Sequence, residues 1–334
     1  MSRLNPLALL CVSLLAAAAP AASPHPIAIA IHAGAGVIEP ARMTPEREAS
    51  YRSGLAAALD AGYAVLERGG TSLDAVQTAV RIMEDDPQFN AGRGAVLNHE
   101  GDAELDAAIM DGSGPRAGAV AAVRHVKNPI DLARLVMDKS PHVLLVADGA
   151  EDFALEQGVV LVPRSYFRTP QRLHELEEAR RAENERARAA AVSASGTVGA
   201  VAVDRAGNIA AATSTGGLTN KHVGRVGDSP LIGAGTYANN ESCAVSGTGQ
   251  GEYYIRQLVA YDICALVHYR HLTLAQAVHQ VIHEKLRRTG GEGGVIALDP
   301  AGNVAMDFNS IGMFRGARDS AGKRAIGMYR EDAK

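Results

Sequence analysis

Gly196-Thr197-Val198-Gly199-Ala200-Val201-Ala202-Val203-Asp204, continued across Arg205-Ala206-Gly207-Asn208 by Ile209-Ala210-Ala211-Ala212-Thr213-Ser214-Thr215, is the stretch on which the fold turns. Small and β-branched residues fill two short runs, and the turn residues Ala206-Gly207-Asn208 separate them. The stretch therefore reads as a hairpin of strands 198–204 and 209–215. Upstream, residues 168–195 change to Arg, Glu and Ala, with almost no large apolar side chain after Leu176. That composition predicts a solvated helix running into a flexible linker. A linker that stops at Gly196-Thr197 and continues as a buried strand draws attention to one peptide bond.

A threonine hydroxyl is a weak nucleophile unless a base stands beside it. Scission of the Gly196-Thr197 bond would give Thr197 a free α-amine with a pKa of about 7.7–8, a general base carried by the same residue. Gly196 has no Cβ and permits backbone conformations closed to bulkier residues. Strain there can drive attack of the Thr197 hydroxyl on the Gly196 carbonyl. Thr213 to Gly217 closes the second strand, so the hairpin returns hydroxyls to the start of the first. Thr215 is then either the group that orients the nucleophile or a strand-end threonine with ordinary local hydrogen bonds.

Two glycine-rich segments follow. Gly224-Arg225-Val226-Gly227-Asp228-Ser229-Pro230 holds a guanidinium and a carboxylate three residues apart. Arg225 could fork onto an α-carboxylate while Asp228 takes an α-ammonium, or the two could form a loop salt bridge worth about 0–1 kcal/mol. Ser246-Gly247-Thr248-Gly249-Gln250-Gly251-Glu252 runs from a strand into a helix, a junction whose backbone N–H groups hold anions. Glu252 stands where a dinucleotide fingerprint needs its last glycine, and no second half of a dinucleotide fold is apparent. Thr248 and Gly249 read instead as an oxyanion hole, whose donors are each worth about a hundred- to a thousandfold in rate.

Around these motifs, periodicity predicts a strand from Ile27 running into the turn His32 to Gly36. Helices follow from Thr44 to Gly69-Gly70, from Thr71 or Ser72 to Met83, and from Ile130 to Met137. Short strands lie between Asn98 and Arg124 and over 143–146, with a short helix opening at Asp148 or Gly149. The second half reads as strands at 231–234 and 243–246, helices at 252–268 and 274–288, and a hairpin of 295–298 with 304–308. Layered α/β sheets with helices outside are the expected architecture.

The 334 residues are 47% hydrophobic and 21% charged, enough for a substantial core and inconsistent with disorder of the whole chain. A net charge of -4 without a basic stripe gives no footing for nucleic acid. Arg3, the apolar run Leu7 to Ala19, and Pro20-Ala21-Ala22-Ser23 form the three parts of an export signal cleaved near Ala22. The run is too short for the roughly 20 residues of a membrane anchor. Leu10 before Cys11 is a poor match to a lipoprotein signal. Cys243 and Cys264 remain after export. Both read first as buried small hydrophobes, and a bridge between them in an oxidising compartment stays open.

Taken together, Gly196 to Ala202, Thr213 to Gly217, Asn220-Lys221, Gly224 to Pro230 and Gly247 to Gly251 resemble the plant-type asparaginase and isoaspartyl peptidase family of N-terminal-nucleophile hydrolases. Ile31 to Gly36, Phe89 to Gly94, Glu104 to Ala107 and Gly293 to Phe308 extend the resemblance over nearly the whole mature chain. The resemblance implies a four-layer αββα fold, self-cleavage before Thr197, and an α fragment (23–196) and β fragment (197–334) that stay together and assemble into a dimer of αβ heterodimers. It makes Thr197 the nucleophile, with the hydroxyls of Thr215 and Thr248 beside it, and Asn90 a residue that positions its amine. Arg225, Asp228 and Gly251 become the ligands of an aspartyl substrate, and Thr248 and Gly249 the oxyanion hole. It also implies a structural sodium held by main-chain carbonyls of Met83, Glu84, Asp86, Phe89, Ala91 and Arg93, as suits a hard cation. The implied reaction is hydrolysis of the L-asparagine side-chain amide and of β-aspartyl dipeptides, with no catalytic cofactor and no metal in the chemistry.

Ala33 stands where the family usually has Gly, and Asp307 where it usually has Pro. An export signal is also less usual for bacterial members. His279 and His283 lie one helical turn apart with Glu284 beside them. Neither order of a zinc-protease motif is present, so both read as solvated helix histidines. A glycosylasparaginase-like amidase differs only in leaving group, and a non-catalytic exported amino-acid-binding protein would leave the chain uncut.

Overall fold

The computed structural model describes residues 25–36, 43–114, 116–186 and 196–333. The export signal at 1–22 and the end of the linker lie outside the described residues. The first half contains β1 (Ala28–Gly36), α1 (Pro45–Glu67), α2 (Ser72–Asp85), β2 (Leu105–Asp111), β3 (Arg116–Val123), α3 (Pro129–Lys139), β4 (Leu144–Val146), α4 (Ala147–Glu156) and α5 (Pro170–Arg186). After the linker come β5 (Val198–Val203), β6 (Ile209–Thr215), β7 (Thr236–Ala238), β8 (Ala244–Gly249), α6 (Gly251–Gln257), α7 (Val259–Arg270) and α8 (Leu274–His279). A π-helical segment (Gln280–Leu286), β9 (Gly293–Leu298), β10 (Val304–Phe308), β11 (Gly312–Asp319) and β12 (Arg324–Gly327) complete the order.

An eight-stranded sheet, ordered β12-β11-β1-β5-β6-β2-β3-β4, faces a four-stranded sheet ordered β10-β9-β8-β7. Strand periodicity sorts the residues between layers. On β1, Ile27, Ile29, Ile31 and Ala33 join the core shared with α1, α2 and α3. Ala28, Ala30 and Ala35 point the other way, toward Ile296, Leu298 and Phe308 of the second sheet. Val245, Val295 and Ala297 turn outward from that sheet to meet α7 and α8. These three cores separate four layers, αββα, as expected. Ile29 and Ile31 are fully buried, and each contributes about 1.5–3 kcal/mol by leaving water. Thr44 and Thr71 cap α1 and α2 by accepting from the N–H groups of Arg47 and Asp74. Among the described residues no helix is long and apolar enough to cross a membrane.

Four expectations need correcting. No strand covers 231–234: the chain turns through Gly233 at φ +90°, and the strand there is β7 at Thr236–Ala238. The single helix expected over 252–268 is two, broken at Leu258 with φ +49°. The break has a tertiary cause: the N–H groups of Ala260 and Tyr261 donate to the carbonyls of Ala234 and Gly233 (3.0 and 2.8 Å), so α7 starts against that turn. The helix expected over 274–288 is α8 followed by a π-helical segment. Cys243 and Cys264 are joined by a disulfide, with Cα atoms 5.3 Å apart, tying β8's approach to α7.

Candidate active site

The hairpin β5–β6 sits in the middle of the large sheet. β5 pairs with β1 (Ile31 opposite Ala200), and β6 pairs with β2 (Asp106 opposite Thr215). Thr197 immediately precedes β5 and is 8% exposed, so it is held in the core while still reaching solvent. Its hydroxyl donates to the Thr215 hydroxyl at 3.1 Å, and the Thr215 oxygen also accepts from the Gly217 N–H at 3.0 Å. The Gly196 carbonyl oxygen accepts from Asn90 Nδ2 at 2.5 Å and from the Thr215 hydroxyl at 3.5 Å. In the continuous chain Asn90 therefore contacts the carbonyl before Thr197 and also donates to the Gly217 carbonyl at 2.8 Å.

The backbone at this bond is crowded. Gly34 has φ +118°, and a Cβ on it would fall 2.6 Å from the Gly196 Cα. A Cβ on Gly196 would fall 2.9 Å from the Ala33 carbonyl oxygen. Neither position tolerates a side chain, because the obstacle in each case is backbone.

One cleft is lined by Thr197, Thr215, Arg225, Asp228 and Gly249, with Gly217, Leu218, Gly227 and Ser229 completing its wall. Arg225 does not pair with Asp228. Its Nε and Nη2 lie 3.0 Å from Glu252, whose side chain is half exposed. Asp228 is buried, and its Oδ2 has no hydrogen-bond partner among the described residues. Burial pushes its carboxyl up to about 7, against the pull of the Arg225 charge. Gly251 lies between the two. A Cβ there would come 2.8 Å from Arg225 Nη2 and 2.9 Å from Asp228 Oδ1. A buried carboxyl with one unpartnered oxygen, a guanidinium and a glycine gap between them have the chemistry to receive a zwitterionic amino-acid head.

Thr248 and Gly249 end β8, paired with Gly294 and Gly293 of β9. The Thr248 hydroxyl accepts from the Ala35 N–H at 3.1 Å, and Tyr254 OH donates to its carbonyl at 3.2 Å. Gly249 reaches the cleft while Thr248 is buried just behind it.

A polar chain behind Thr197 has no counterpart in the sequence reading. His32 Nδ1 lies 2.9 Å from the Thr197 carbonyl oxygen and must donate, which leaves Nε2 to accept from Ser246 Oγ at 2.9 Å. Ser246 in turn lies 2.7 Å from Thr213 Oγ1, and Thr236 donates to Thr213 at 2.6 Å. Burial drives the His32 pKa down to about 3, opposed by its bond to Thr197, so the ring is neutral. The available signal was a histidine at the end of an otherwise apolar strand.

Glu84, expected to offer only its carbonyl, also buries its side chain. Its Oε1 accepts from Ser214 Oγ (2.6 Å) and the Ile130 N–H (3.0 Å), and burial pushes its carboxyl up to about 8. Of the two helix histidines, one is solvated as expected and the other is not. His279 is exposed, but His283 is largely covered, with Nε2 2.8 Å from Asp307 Oδ1.

A four-layer αββα sandwich with a buried threonine at the head of a central strand, opening on a cleft that holds a guanidinium and a carboxylate, is the architecture of the N-terminal-nucleophile class of amide hydrolases. Comparison with known proteins narrows the class. The family described as asparaginase matches residues 25–328. An isoaspartyl peptidase of Salmonella typhimurium is 52% identical over 308 residues, covering 91% of this chain and 98% of its own. The isoaspartyl peptidase of Escherichia coli is 50% identical over 308 residues, covering 91% and 96%. An isoaspartyl peptidase/L-asparaginase of Mus musculus is 43% identical over 288 residues, covering 86% of each. The chain belongs to the asparaginase family.

Proposed function

We propose that this chain is an exported, self-cleaving amidohydrolase that splits β-aspartyl dipeptides and the side-chain amide of L-asparagine, with Thr197 as nucleophile. The names of the relatives support the substrate class. The observation that carries the residue assignment is the shared cleft of Thr197, Gly249, Arg225 and Asp228.

Self-cleavage comes first. Thr197 Oγ attacks the Gly196 carbonyl carbon, and the oxygen that becomes negative already accepts from Asn90 and Thr215. The C–N bond breaks as the proton from Oγ passes, by way of the Thr215 hydroxyl, to the departing nitrogen. Water then hydrolyses the Gly196 ester and frees the Thr197 amine. In turnover that amine takes the Oγ proton, Oγ attacks the β-carbonyl of the bound aspartyl group, and Thr248 and Gly249 stabilise the oxyanion. Ammonia or an amino acid leaves with a proton, and water releases L-aspartate. Arg225 binds the substrate's α-carboxylate, and Asp228, ionised by the encounter, binds its α-ammonium beside Gly251.

The fragments stay joined after the cut because the sheet interleaves them. β5 and β6 of the β fragment lie between β1 and β2 of the α fragment, and β11 pairs with the other edge of β1. Two such αβ units form the assembled enzyme. The Cys243–Cys264 disulfide fits an oxidising compartment and supports export. The loop 83–93 suits a structural sodium. A Cβ on Gly92 would strike the Glu84 carbonyl oxygen, and one on Gly94 those of Phe89 and Pro87, so carbonyls converge on the loop's interior. Met83, Glu84, Asp86, Phe89, Ala91 and Arg93 would hold it. The Asp86 side chain is turned away to Gln88.

Edman sequencing of the purified protein tests the core of this reading. Two sequences are expected, one beginning Thr197-Val198-Gly199-Ala200 and one beginning near Ser23. The Thr197→Ala variant is expected to remain a single uncut chain without hydrolytic activity. An uncut wild-type chain with full activity, or a Thr197→Ala chain turning over asparagine at the wild-type rate, would refute it.

A further inference from the structure

The fold places Asp307 against two histidines that the proposed chemistry does not use. Asp307 lies on β10, the edge strand of the smaller sheet, opposite Val295. Ala305, two residues earlier, belongs to the core beneath the outer helices, so Asp307 shares that outward face. His279 ends α8, and His283 lies one turn on in the π-helical segment. Their rings stack with centroids 4.5 Å apart and planes 28° from parallel. His283 Nε2 is 2.8 Å from Asp307 Oδ1, and His279 Nδ1 is 3.5 Å from Asp307 Oδ2. One nitrogen from each ring and a carboxylate oxygen all fall within 4.8 Å of one another.

We propose that His279, His283 and Asp307 bind one divalent transition-metal ion of the zinc type. Two imidazoles and one carboxylate are the donor set such ions select, with the remaining positions left to water. Bonds of about 2.0–2.2 Å place tetrahedral donors about 3.4 Å apart, close to the 3.5 Å between His279 Nδ1 and Asp307 Oδ2, whereas His283 Nε2 must withdraw from Asp307 Oδ1 by about 0.6 Å.

The frame around the donors is fixed. The Phe308 N–H donates to Asp307 Oδ1 at 2.8 Å and orients the carboxylate. Asn309 Nδ2 donates to the carbonyls of Ile282 and Gly291 (3.2 and 3.0 Å), while its Oδ1 accepts from the Gly293 N–H at 2.8 Å. That side chain pins the π-helical segment to the strand from which Asp307 projects. Interruptions of this kind in a helix are frequent at functional sites. The metal would clamp the outer helix layer to the edge of the small sheet. Asp307 is opposite Val295, and Val295 is opposite Gly247, the residue before Thr248. The clamp therefore sits two strands, roughly 10 Å, from the strand bearing the oxyanion hole. It contributes rigidity, and the inference does not depend on which amide the enzyme cleaves.

Zinc titration of tag-free, metal-stripped mature protein by calorimetry, with bound zinc counted by mass spectrometry after desalting, tests the site. One zinc per αβ unit is expected, with a rise in melting temperature of about 4 °C at hundredfold excess over Kd, reversed by chelator. His279→Gln and Asp307→Ala are each expected to weaken binding at least about tenfold, the loss that even an outer partner of a ligand produces. His279 is largely exposed, so its variant serves if Asp307→Ala fails to fold, and melting without zinc checks both. No zinc retained by the wild type, or equal zinc retained by the His279→Gln and His283→Gln variants, would overturn the assignment.

Discussion

Replacing Asp228 by Asn separates the demands of substrate binding from those of folding. Asp228 is buried, has an unpartnered Oδ2 and lies beside Gly251 in the cleft, while the Gly196 carbonyl is bonded to Asn90 and Thr215. Asn keeps the shape and removes the charge that the α-ammonium requires. Truncating one partner of a buried charged pair costs about 2–5 kcal/mol, so kcat/KM is expected to fall by a factor of roughly 30 to several thousand. Cleavage at Gly196 should proceed normally. In the wild type the carboxyl, raised from 3.8 to about 7, must ionise to bind substrate, so kcat/KM should fall as pH drops below about 7. The Asn variant should lack that limb and retain only the titration of the Thr197 amine.

Stability runs in the opposite direction. A folded-state pKa above the unfolded value gives a contribution that is complete below the ordinary carboxylate range and is lost as pH rises to about 7. At about 1.4 kcal/mol per pH unit the loss is bounded at roughly 4 kcal/mol, and the Asn variant is spared it. The free variant should therefore melt higher than wild type above neutral pH while turning over far more slowly. Steady-state kinetics across neutral pH, paired with thermal melts of the ligand-free protein, read both effects. A variant with wild-type kcat/KM above neutral pH would remove Asp228 from the substrate receptor.

Two other perturbations probe the frame. Exchanging sodium for tetramethylammonium should lower the melting temperature of the wild type by calorimetry, whereas Gly94→Ala, whose Cβ would strike the Phe89 and Pro87 carbonyls, should melt lower and lose that dependence. An identical melt in both salts would dismiss the sodium loop. The double variant Cys243→Ala, Cys264→Ala opens a crosslink spanning 21 residues, which costs about 3 kcal/mol and should lower the melting temperature by about 5 °C in non-reducing buffer. No difference from wild type would mean that the purified protein carries the thiols reduced.

The parts of the fold legible in sequence are those whose cause is local. The β5–β6 hairpin is written in period-two patterning and a Gly-Asn turn, and α1 and α2 in their threonine caps. The break at Leu258 was not legible, because neither glycine nor proline marks it. The carbonyls of Gly233 and Ala234 impose it from another part of the chain. β11 and β12 escaped for a related reason: Arg315 and Arg318 interrupt the apolar pattern of β11. Arg315 is buried there by donating to the Met313 and Tyr329 carbonyls. At the site, glycine-rich segments named the cleft residues, but composition could not indicate that Arg225 would pair with Glu252 rather than Asp228. The chain from His32 to Thr236 joins four strands through single side chains and leaves no spacing to detect.

Glycines at the cleft divide into two sets with different obstacles, and the division bears on how cutting and turnover are built. Gly34 and Gly196 are confined by each other's backbone and by the Ala33 carbonyl, so a side chain at either displaces the bond to be cut. Gly251 faces the ends of both Arg225 and Asp228, Gly227 that of Arg225, and Gly235 that of Asp228; on the proposed function a side chain there fills the space of the amino-acid head. The three atoms nearest a Cβ on Gly196 belong to Ala33 and Gly34, none of them to Arg225 or Asp228. The Gly196 carbonyl is held by Asn90 and Thr215, neither of which contacts Arg225 or Asp228 by a hydrogen bond. If Thr197 is the nucleophile as proposed, self-cleavage and substrate binding draw on different groups around Thr197 and Thr215, and a Gly251 variant is expected to cut itself normally yet fail to bind substrate.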